Sequence, residues 1–135
     1  MKKTLSIISG CIFAVAVIFN LFSCKVKESS PPTVAFYQVA GYVSADTTLY
    51  RHTIFPIWVV ASKDGVGDLV ETGTITRSIN GGPDSTLQTM NFVMSQFSYI
   101  YSYKAGDSGD VTKYTFTFGN EKGVTGSNSI VITAN

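Results

Sequence analysis

The segment Gln96-Phe-Ser-Tyr-Ile-Tyr-Ser-Tyr-Lys104 indicates the fold more clearly than any other part of this 135-residue chain. Its side chains alternate in character: one face carries Phe97, Tyr99, Tyr101 and Tyr103, and the other carries Ser98, Ile100 and Ser102. A period of two is typical of a β-strand that turns one face to a core. We therefore predict a strand over 96–104 whose aromatic face lines the core.

Short alternating runs bounded by Gly, Asn, Asp and Pro continue this pattern from residue 33 to the end of the chain. No stretch of ten or more residues there has apolar positions at helical spacing. A strong turn signal falls at 80–84. The other predicted strands are 33–39, 54–61, 69–79, 86–94, 111–118 and 129–133.

The run 54–61 is apolar on both faces, which predicts a central strand. Pro56 lies inside this run and cannot donate a ladder hydrogen bond, so we expect a bulge or an unpaired edge there. Seven short strands with frequent turns predict an all-β protein, an immunoglobulin-like antiparallel β-sandwich. A closed barrel is the alternative.

The N-terminus has a different character, because Lys2 and Lys3 precede an almost wholly apolar segment from Leu5 to Phe22. This layout is typical of a secretory signal helix. The sequence Leu21-Phe-Ser-Cys24 resembles the lipobox of bacterial lipoproteins. The resemblance implies cleavage before Cys24 and lipidation of its thiol, and each buried CH₂ of the acyl chains contributes about 0.8 kcal/mol to anchoring. An uncleaved transmembrane helix is the alternative.

This resemblance divides the chain into a signal peptide (1–23), a lipidated Cys24 with a polar tether (24–32) and a β-sandwich domain (33–135). In the resembled family an Asp directly after the Cys favours retention at the inner membrane. Lys25 occupies that position here, so the resemblance implies anchoring in the outer membrane, on its periplasmic face or at the cell surface. The 112 residues from Cys24 onward carry a formal charge of −1. Nucleic-acid binding needs a basic surface, so we expect no nucleic-acid partner.

A second resemblance covers most of residues 31–135. The segments 106–123 and 127–133 resemble the closing strands of bacterial immunoglobulin-like repeats. The start Pro31-Pro-Thr-Val-Ala-Phe36, followed by Gly41-Tyr42, resembles the opening of immunoglobulin-like lipoprotein domains in glycan-using Gram-negative bacteria. The resemblance implies a non-enzymatic spacer, an adhesive module or a ligand-binding subunit.

Catalytic chemistry finds little support in the sequence. His52 is the sole imidazole of the chain, so any Ser-His-Asp triad would have to use it. It lies between Arg51 and Thr53 ahead of a predicted strand, and we interpret it as an exposed turn histidine. No pair of acids stands out as a glycosidase pair. We therefore expect no catalytic residue, no enzyme activity and no cofactor.

Two loops concentrate carboxylates: Asp64 and Asp68 in one, Asp107 and Asp110 in the other. Each loop could offer oxygen ligands to Ca²⁺, which takes six to eight of them. Asp and Gly are also the residues that tight turns need for left-handed backbone and side-chain-to-backbone hydrogen bonds. Turn formation is the interpretation that we favour, and calcium binding is the alternative.

Aromatic residues are numerous, with 14 in the 112 residues from Cys24 onward. Tyr and Trp rings can stack on sugars while their polar ends donate hydrogen bonds, so exposed ones would suit a glycan. For the aromatic face of 96–104 we favour the core interpretation over a glycan platform. Binding residues concentrate on loops at the ends of sandwiches, so the candidate ligand-binding residues are Tyr42, Tyr50 and Tyr103.

These inferences together predict a lipid-anchored module of the cell envelope that is not an enzyme. We expect it to reach the membrane through its lipid anchor and to bind a glycan, an envelope polymer or a partner protein. The alternative function is structural, as a spacer or subunit of an envelope complex whose strand edge pairs with another chain.

Overall fold

The computed structural model of the protein describes residues 28–64 and 68–135. The predicted signal peptide 1–23, Cys24 and the first half of the tether 24–32 lie outside the described residues, as do residues 65–67. Within the described ranges, no helix is long and apolar enough to cross a membrane.

Eight strands form two sheets. The smaller sheet has the strand order β1-β3-β6, and the larger has the order β2-β8-β7-β4-β5. Two separate sheets that share one core exclude a closed barrel and make an immunoglobulin-like β-sandwich, as predicted. The strands are β1 (Thr33–Phe36), β2 (Thr47–Leu49), β3 (Ile54–Ser62), β4 (Val70–Ile79), β5 (Ser85–Met94), β6 (Gln96–Lys104), β7 (Val111–Asn120) and β8 (Thr125–Ala134).

The predicted count of seven strands is wrong by one, because β2 lies in the connection that was expected to be a loop. This three-residue strand pairs in parallel with the end of β8, Thr47 opposite Ile132, so the larger sheet is not wholly antiparallel. β8 also begins at Thr125 rather than at residue 129. Its polar start pairs with β7 in a hairpin, and hairpin pairing needs no apolar side chains.

β3 is the central strand of the smaller sheet, as predicted. The Pro56 carbonyl accepts a hydrogen bond from the Val43 N–H at 2.9 Å, so the backbone of Pro56 faces the β1 side. The pairing of β1 with β3 ends where Phe36 lies opposite Val59. No strand pairs with Pro56 on that side, so its missing N–H interrupts no hydrogen-bond ladder. The unpaired edge expected at Pro56 is confirmed, and the register with β6 passes it without a bulge.

The core lies between the inner faces of the two sheets. The ring of Tyr103 packs 4.1 Å from that of Tyr114, and Phe97 lies 5.5 Å from Phe118. The predicted role of the aromatic face of β6 in the core is confirmed. The fully buried side chains of the core include Phe55, Ile57, Val59, Ala61, Val70, Ile75, Tyr114, Phe116, Phe118, Ile130 and Ile132.

The residues just before β1 are held against the domain. The buried Asn120 donates from Nδ2 to Ser29 Oγ at 2.7 Å and to the Ser30 carbonyl at 3.0 Å. Ser29 Oγ in turn donates to the Asp68 carboxylate. The carbonyl oxygen of Pro32 lies very close to Gly126. A Cβ at position 126 would lie 2.0 Å from that oxygen, so only glycine fits at this position. The described part of the predicted tether is therefore packed on the sandwich.

Candidate ligand-binding site

Three aromatic rings meet on the outer face of the smaller sheet. The ring of Tyr37 stacks on that of Trp58, with centroids 4.4 Å apart and an interplanar angle of 29°. The ring of Tyr42 lies against Trp58 from another direction, with centroids 5.5 Å apart. We call Tyr37, Tyr42 and Trp58 the aromatic cluster. Tyr37 is 51% exposed, so solvent reaches the cluster.

The backbone that follows β1 builds this cluster. The Tyr37 N–H donates to the Trp58 carbonyl at 2.8 Å and so extends the pairing with β3 by one residue. The Tyr42 N–H donates to the Val39 carbonyl at 3.2 Å, which closes a turn. Gly41 occupies the left-handed region of that turn with φ +91°, a conformation that glycine adopts without strain. The turn brings Tyr42 back onto Trp58.

Trp58 is itself held in place by β6. Its indole Nε1 donates to Ser98 Oγ at 2.7 Å across the sheet. This hydrogen bond satisfies the one polar atom of the indole and leaves the ring with stacking contacts. A ring fixed in this way loses little conformational entropy when a ligand packs on it.

The surface around the cluster is apolar and nearly uncharged. Ile100 stands opposite Trp58 in the register and is 47% exposed, while Ile54 at the end of β3 is 72% exposed. Among the strand residues of this face, Lys104 is the one that carries a charge. The strand residues of the face are Thr33, Ala35, Ile54, Pro56, Trp58, Val60, Ser62, Gln96, Ser98, Ile100, Ser102 and Lys104.

This geometry suits a neutral ligand that has an apolar face. Ring stacking and CH contacts supply attraction without charge, and the serine and glutamine side chains of β6 can exchange hydrogen bonds at the edge of the rings. A shallow groove of about 240 Å³ continues from Tyr42. It is lined by residues 42–47, of which Asp46 carries a charge and accepts a hydrogen bond from the Val131 N–H. A sugar ring has these two properties, a CH face and a rim of hydroxyl groups.

Of the predicted binding residues, the structure places Tyr42 in the cluster and Tyr50 elsewhere. Tyr50 is 80% exposed and lies where β2 and β8 end, with its carbonyl accepting a hydrogen bond from the Thr53 N–H. It lines a second groove of about 390 Å³ together with Thr48, Leu49 and Asn135. Among the described residues, no ring contact joins Tyr50 to the aromatic cluster.

The structure does not place Tyr103 at a loop that a ligand could reach. Tyr103 lies in β6, on the inner face and only 7% exposed, where the predicted strand 96–104 with its core-facing aromatic side places it. Its hydroxyl has no hydrogen-bond partner among the described residues. Burial raises the pKa of this phenol far above its ordinary value, and the neighbouring phenols add to the rise. Tyr103 is thus a core residue out of reach of a ligand at the surface.

His52 lies in an exposed turn, as predicted. Its backbone is in the left-handed region at φ +61°, and its Nε2 is 2.8 Å from Asp107 Oδ1. Both side chains are largely solvated, so this pair contributes little to stability. Among the described residues, no hydroxyl or thiol joins the pair to make a triad.

The Asp107–Asp110 loop uses its carboxylates within the fold. Asp110 Oδ2 accepts from the Asp107 N–H at 3.0 Å, and Asp110 Oδ1 accepts from Asn80 Nδ2 at 2.9 Å. The first contact is the side-chain-to-backbone hydrogen bond that the favoured turn interpretation expects, and the second joins the loop to Asn80.

The other acidic loop is described only at its ends, since residues 65–67 lie outside the described residues. Asp64 is exposed, and Asp68 accepts the hydrogen bond from Ser29. Across the described ranges, no group of three or more His, Cys, Asp or Glu side chains is placed to hold a metal ion.

Sequence reasoning missed two members of the cluster, Tyr37 and Trp58. A usable signal was present for Trp58, because its position in the alternation puts it on the face opposite Phe55 and Ile57. The apolar character of both faces of β3 predicted a central strand, which is confirmed, but it did not identify the face that carries Trp58 as the one outside the core. The same signal was available for Tyr37, because the predicted strand 33–39 puts it on the face opposite Val34 and Phe36, although the observed β1 ends at Phe36.

No protein family and no curated protein matches the sequence. Among solved structures, the sporulation control protein Spo0M of Bacillus subtilis is 5% identical with a TM-score of 0.46, covering 80% of this chain and 51% of Spo0M, about half of its length. A CARDB domain from Pyrococcus furiosus, solved in complex with di-metal ions, is 10% identical with a TM-score of 0.45, covering 78% and 91%. A conjugate transposon protein from Bacteroides vulgatus is 11% identical with a TM-score of 0.40, covering 84% and 93%. No residue role follows from similarities of this size.

Proposed function

We propose that this protein is a lipid-anchored, non-catalytic module of the cell envelope that binds a neutral glycan on the aromatic cluster. The observation that carries the proposal is the fixed, half-buried ring of Trp58, flanked by two tyrosine rings on a nearly uncharged sheet face. Contiguous apolar surface of this kind on a small domain is typical of a binding site.

The neutrality of the surface selects the class of ligand. An anionic polymer would need cations near the rings, and the strand residues of this face offer only Lys104, at the far end of β6. A neutral sugar needs only ring stacking and hydroxyl partners, which the cluster and the β6 serines provide.

The anchoring part of the proposal rests on the lipobox-like sequence ending at Cys24. Lipidation at this position would attach the domain to the outer membrane through a very short spacer, since Ser29 is already packed on the sandwich. We test this part by fatty-acid labelling of the wild type and of Cys24→Ala. Label on the wild type alone supports the anchor, and equal label on both proteins contradicts it.

The binding part is tested with the full chain in mild detergent on an array of neutral and acidic glycans, followed by calorimetry on the best ligand. We expect Trp58→Ala to weaken binding at least tenfold, because it removes the ring on which the other two rest. Tyr50→Ala is the matched control, since it removes an exposed tyrosine outside the cluster. Equal loss in both variants, or binding of acidic glycans alone, would contradict the proposal.

A further inference from the structure

The four outer strands of the two sheets differ in how well their free edges are protected. A free edge presents unpaired N–H and C=O groups, and proteins usually protect it by shortness, bulges, proline or charge. β1 has four residues and β2 has three, so both edges are short. β5 pairs with β4 through two register shifts, which twist its edge.

β6 shows none of these forms of protection. It pairs with β3 over nine consecutive residues with no register shift, and its first charged residue is Lys104 at the end. It contains no proline. Among the described residues, no strand pairs with its other side.

The hydrogen bonds of β3 show which groups of β6 are free. The carbonyls of Pro56 and Trp58 point towards β1, where they accept from Val43 and Tyr37. Their partners in the register, Ser102 and Ile100, therefore direct their N–H and C=O groups away from β3. By the same alternation, the residues of β6 with outward backbone groups are Gln96, Ser98, Ile100, Ser102 and Lys104.

The larger sheet extends beyond this edge. The ring of Tyr103 lies over Tyr114 of β7, the middle strand of the larger sheet, so β4 and β5 continue past β6 at that end. β5 has no fully buried residue among its ten. Its core-facing side chains Leu87 and Met90 are only half-buried, while Phe92 already stacks on Phe97 of β6 with ring centroids 4.1 Å apart. A three-stranded sheet thus leaves part of a five-stranded one uncovered.

We propose that the edge of β6 accepts one extended segment of a partner protein as a fourth strand of the smaller sheet. A strand added about 4.8 Å beyond β6 would cross over β4 and β5 and add cover to half-buried side chains such as Leu87 and Met90. The segment that fits is uncharged over about nine residues, has apolar side chains at alternate positions, and carries an acidic residue opposite Lys104.

A second folded copy fits this edge less well than a single segment. The larger sheet of such a copy would also extend beyond its own β6, and the two larger sheets would then meet in the same space. A single segment brings no second layer. This inference does not depend on glycan binding, because the hydrogen-bonding edge and the aromatic cluster are different surfaces.

The probe is a fluorescent, end-capped peptide with the sequence of residues 96–104, which has the required alternation. Antiparallel pairing of this peptide centred on Ile100 places its lysine opposite Gln96 and avoids like charges. We expect saturable binding to the full chain in mild detergent, and at least tenfold weaker binding of a scrambled peptide. Absence of binding to the wild type would overturn the proposal.

The decisive variant is Ile100→Pro, because it removes an outward N–H that makes no bond to β3. We expect at least tenfold weaker peptide binding, with Ile100→Val within twofold of the wild type. Undiminished binding to a folded Ile100→Pro chain would overturn the proposal.

Hydrogen exchange of the wild type provides a readout that does not depend on the folding of any variant. The peptide should slow exchange at the amides of Ser98, Ile100 and Ser102. Protection on β5 alone, or sedimentation as a dimer that Ile100→Pro abolishes, would contradict a single donated strand.

Discussion

At the scale of single residues, Tyr103 and Asn120 are both buried and polar, but they differ in how many hydrogen bonds their polar atoms make. The Tyr103 hydroxyl is buried with no partner among the described residues. The Asn120 side chain makes four hydrogen bonds while only 4% exposed. An unpaired buried donor costs about 1–3 kcal/mol, whereas a paired one contributes to stability.

Tyr103→Phe should therefore raise the free energy of unfolding by about 1 kcal/mol, because it removes the unpaired hydroxyl and keeps the ring contacts with Tyr114. Urea denaturation measures the change. Tyr50→Phe is the control, since its hydroxyl lies at an exposed position and its loss should have no effect. A loss of stability in Tyr103→Phe would mean that the hydroxyl has a partner after all.

The same residue predicts how stability depends on pH. Burial raises the pKa of Tyr103 above its ordinary value of 10, and it also raises the pKa of Tyr114 against the opposing effect of Arg77. Above pH 10 the unfolded chain loses these protons while the folded chain keeps them, so the unfolded state binds fewer protons and stability falls. Below pH 10 both the folded and the unfolded chain keep these protons, so the titration of Tyr103 and Tyr114 takes nothing from the free energy of unfolding there.

Urea midpoints measured between neutral pH and about pH 11 test this dependence. We expect the midpoint of the wild type to fall above pH 10, and that of Tyr103→Phe to fall less steeply. Parallel curves for the two proteins would show that the Tyr103 phenol titrates alike in both states.

Asn120→Ala should lower the free energy of unfolding by about 2–3 kcal/mol. The substitution leaves the backbone N–H groups of Lys122 and Val124 without their acceptor and releases Ser29 and Ser30. Thermal unfolding measures the effect. Asn128→Ala is the matched control, because Asn128 makes its hydrogen bonds at an exposed position and should cost less. Equal losses would contradict the role given to Asn120.

At the scale of the strands, β6 has one bonded and one free side. Tyr99 and Tyr101 direct their backbone groups towards β3, and Ile100 and Ser102 direct theirs to solvent. Hydrogen exchange followed by NMR should show slow amides at the first pair and fast amides at the second, differing by at least about tenfold. Uniform protection along β6 would mean that something already covers this edge.

The strands also show how far sequence patterns reach. β6 was predicted at its observed bounds because its period of two is unbroken over nine residues. β2 was missed because three residues cannot display a period, and its pairing depends on where the distant β8 ends. Trp58 was assigned to a strand correctly, but the alternation alone could not say which apolar face of β3 meets solvent. That choice depends on whether a second layer covers the face, which is a tertiary property.

At the scale of the whole molecule, one core joins the two sheets, since Phe55 of β3 and Tyr103 of β6 both contact Tyr114 of β7. A single core predicts cooperative unfolding of both sheets. The fluorescence of Trp58 and the far-ultraviolet circular dichroism should therefore change at the same urea concentration. Separate transitions would mean that the smaller sheet, which carries Trp58, detaches before the larger one unfolds.

The packing of Pro32 against Gly126 fixes where the chain enters the sandwich, and this has a consequence for display. The chain enters the sandwich beside the start of β8, whereas Tyr50 lies beside the end of β8. These two points are about 30 Å apart along the ten-residue strand. With the proposed lipid at Cys24, the attachment to the bilayer would lie at the end of the domain opposite Tyr50. The free edge of β6, which runs between the two ends, would then stay accessible to molecules beside the anchored domain.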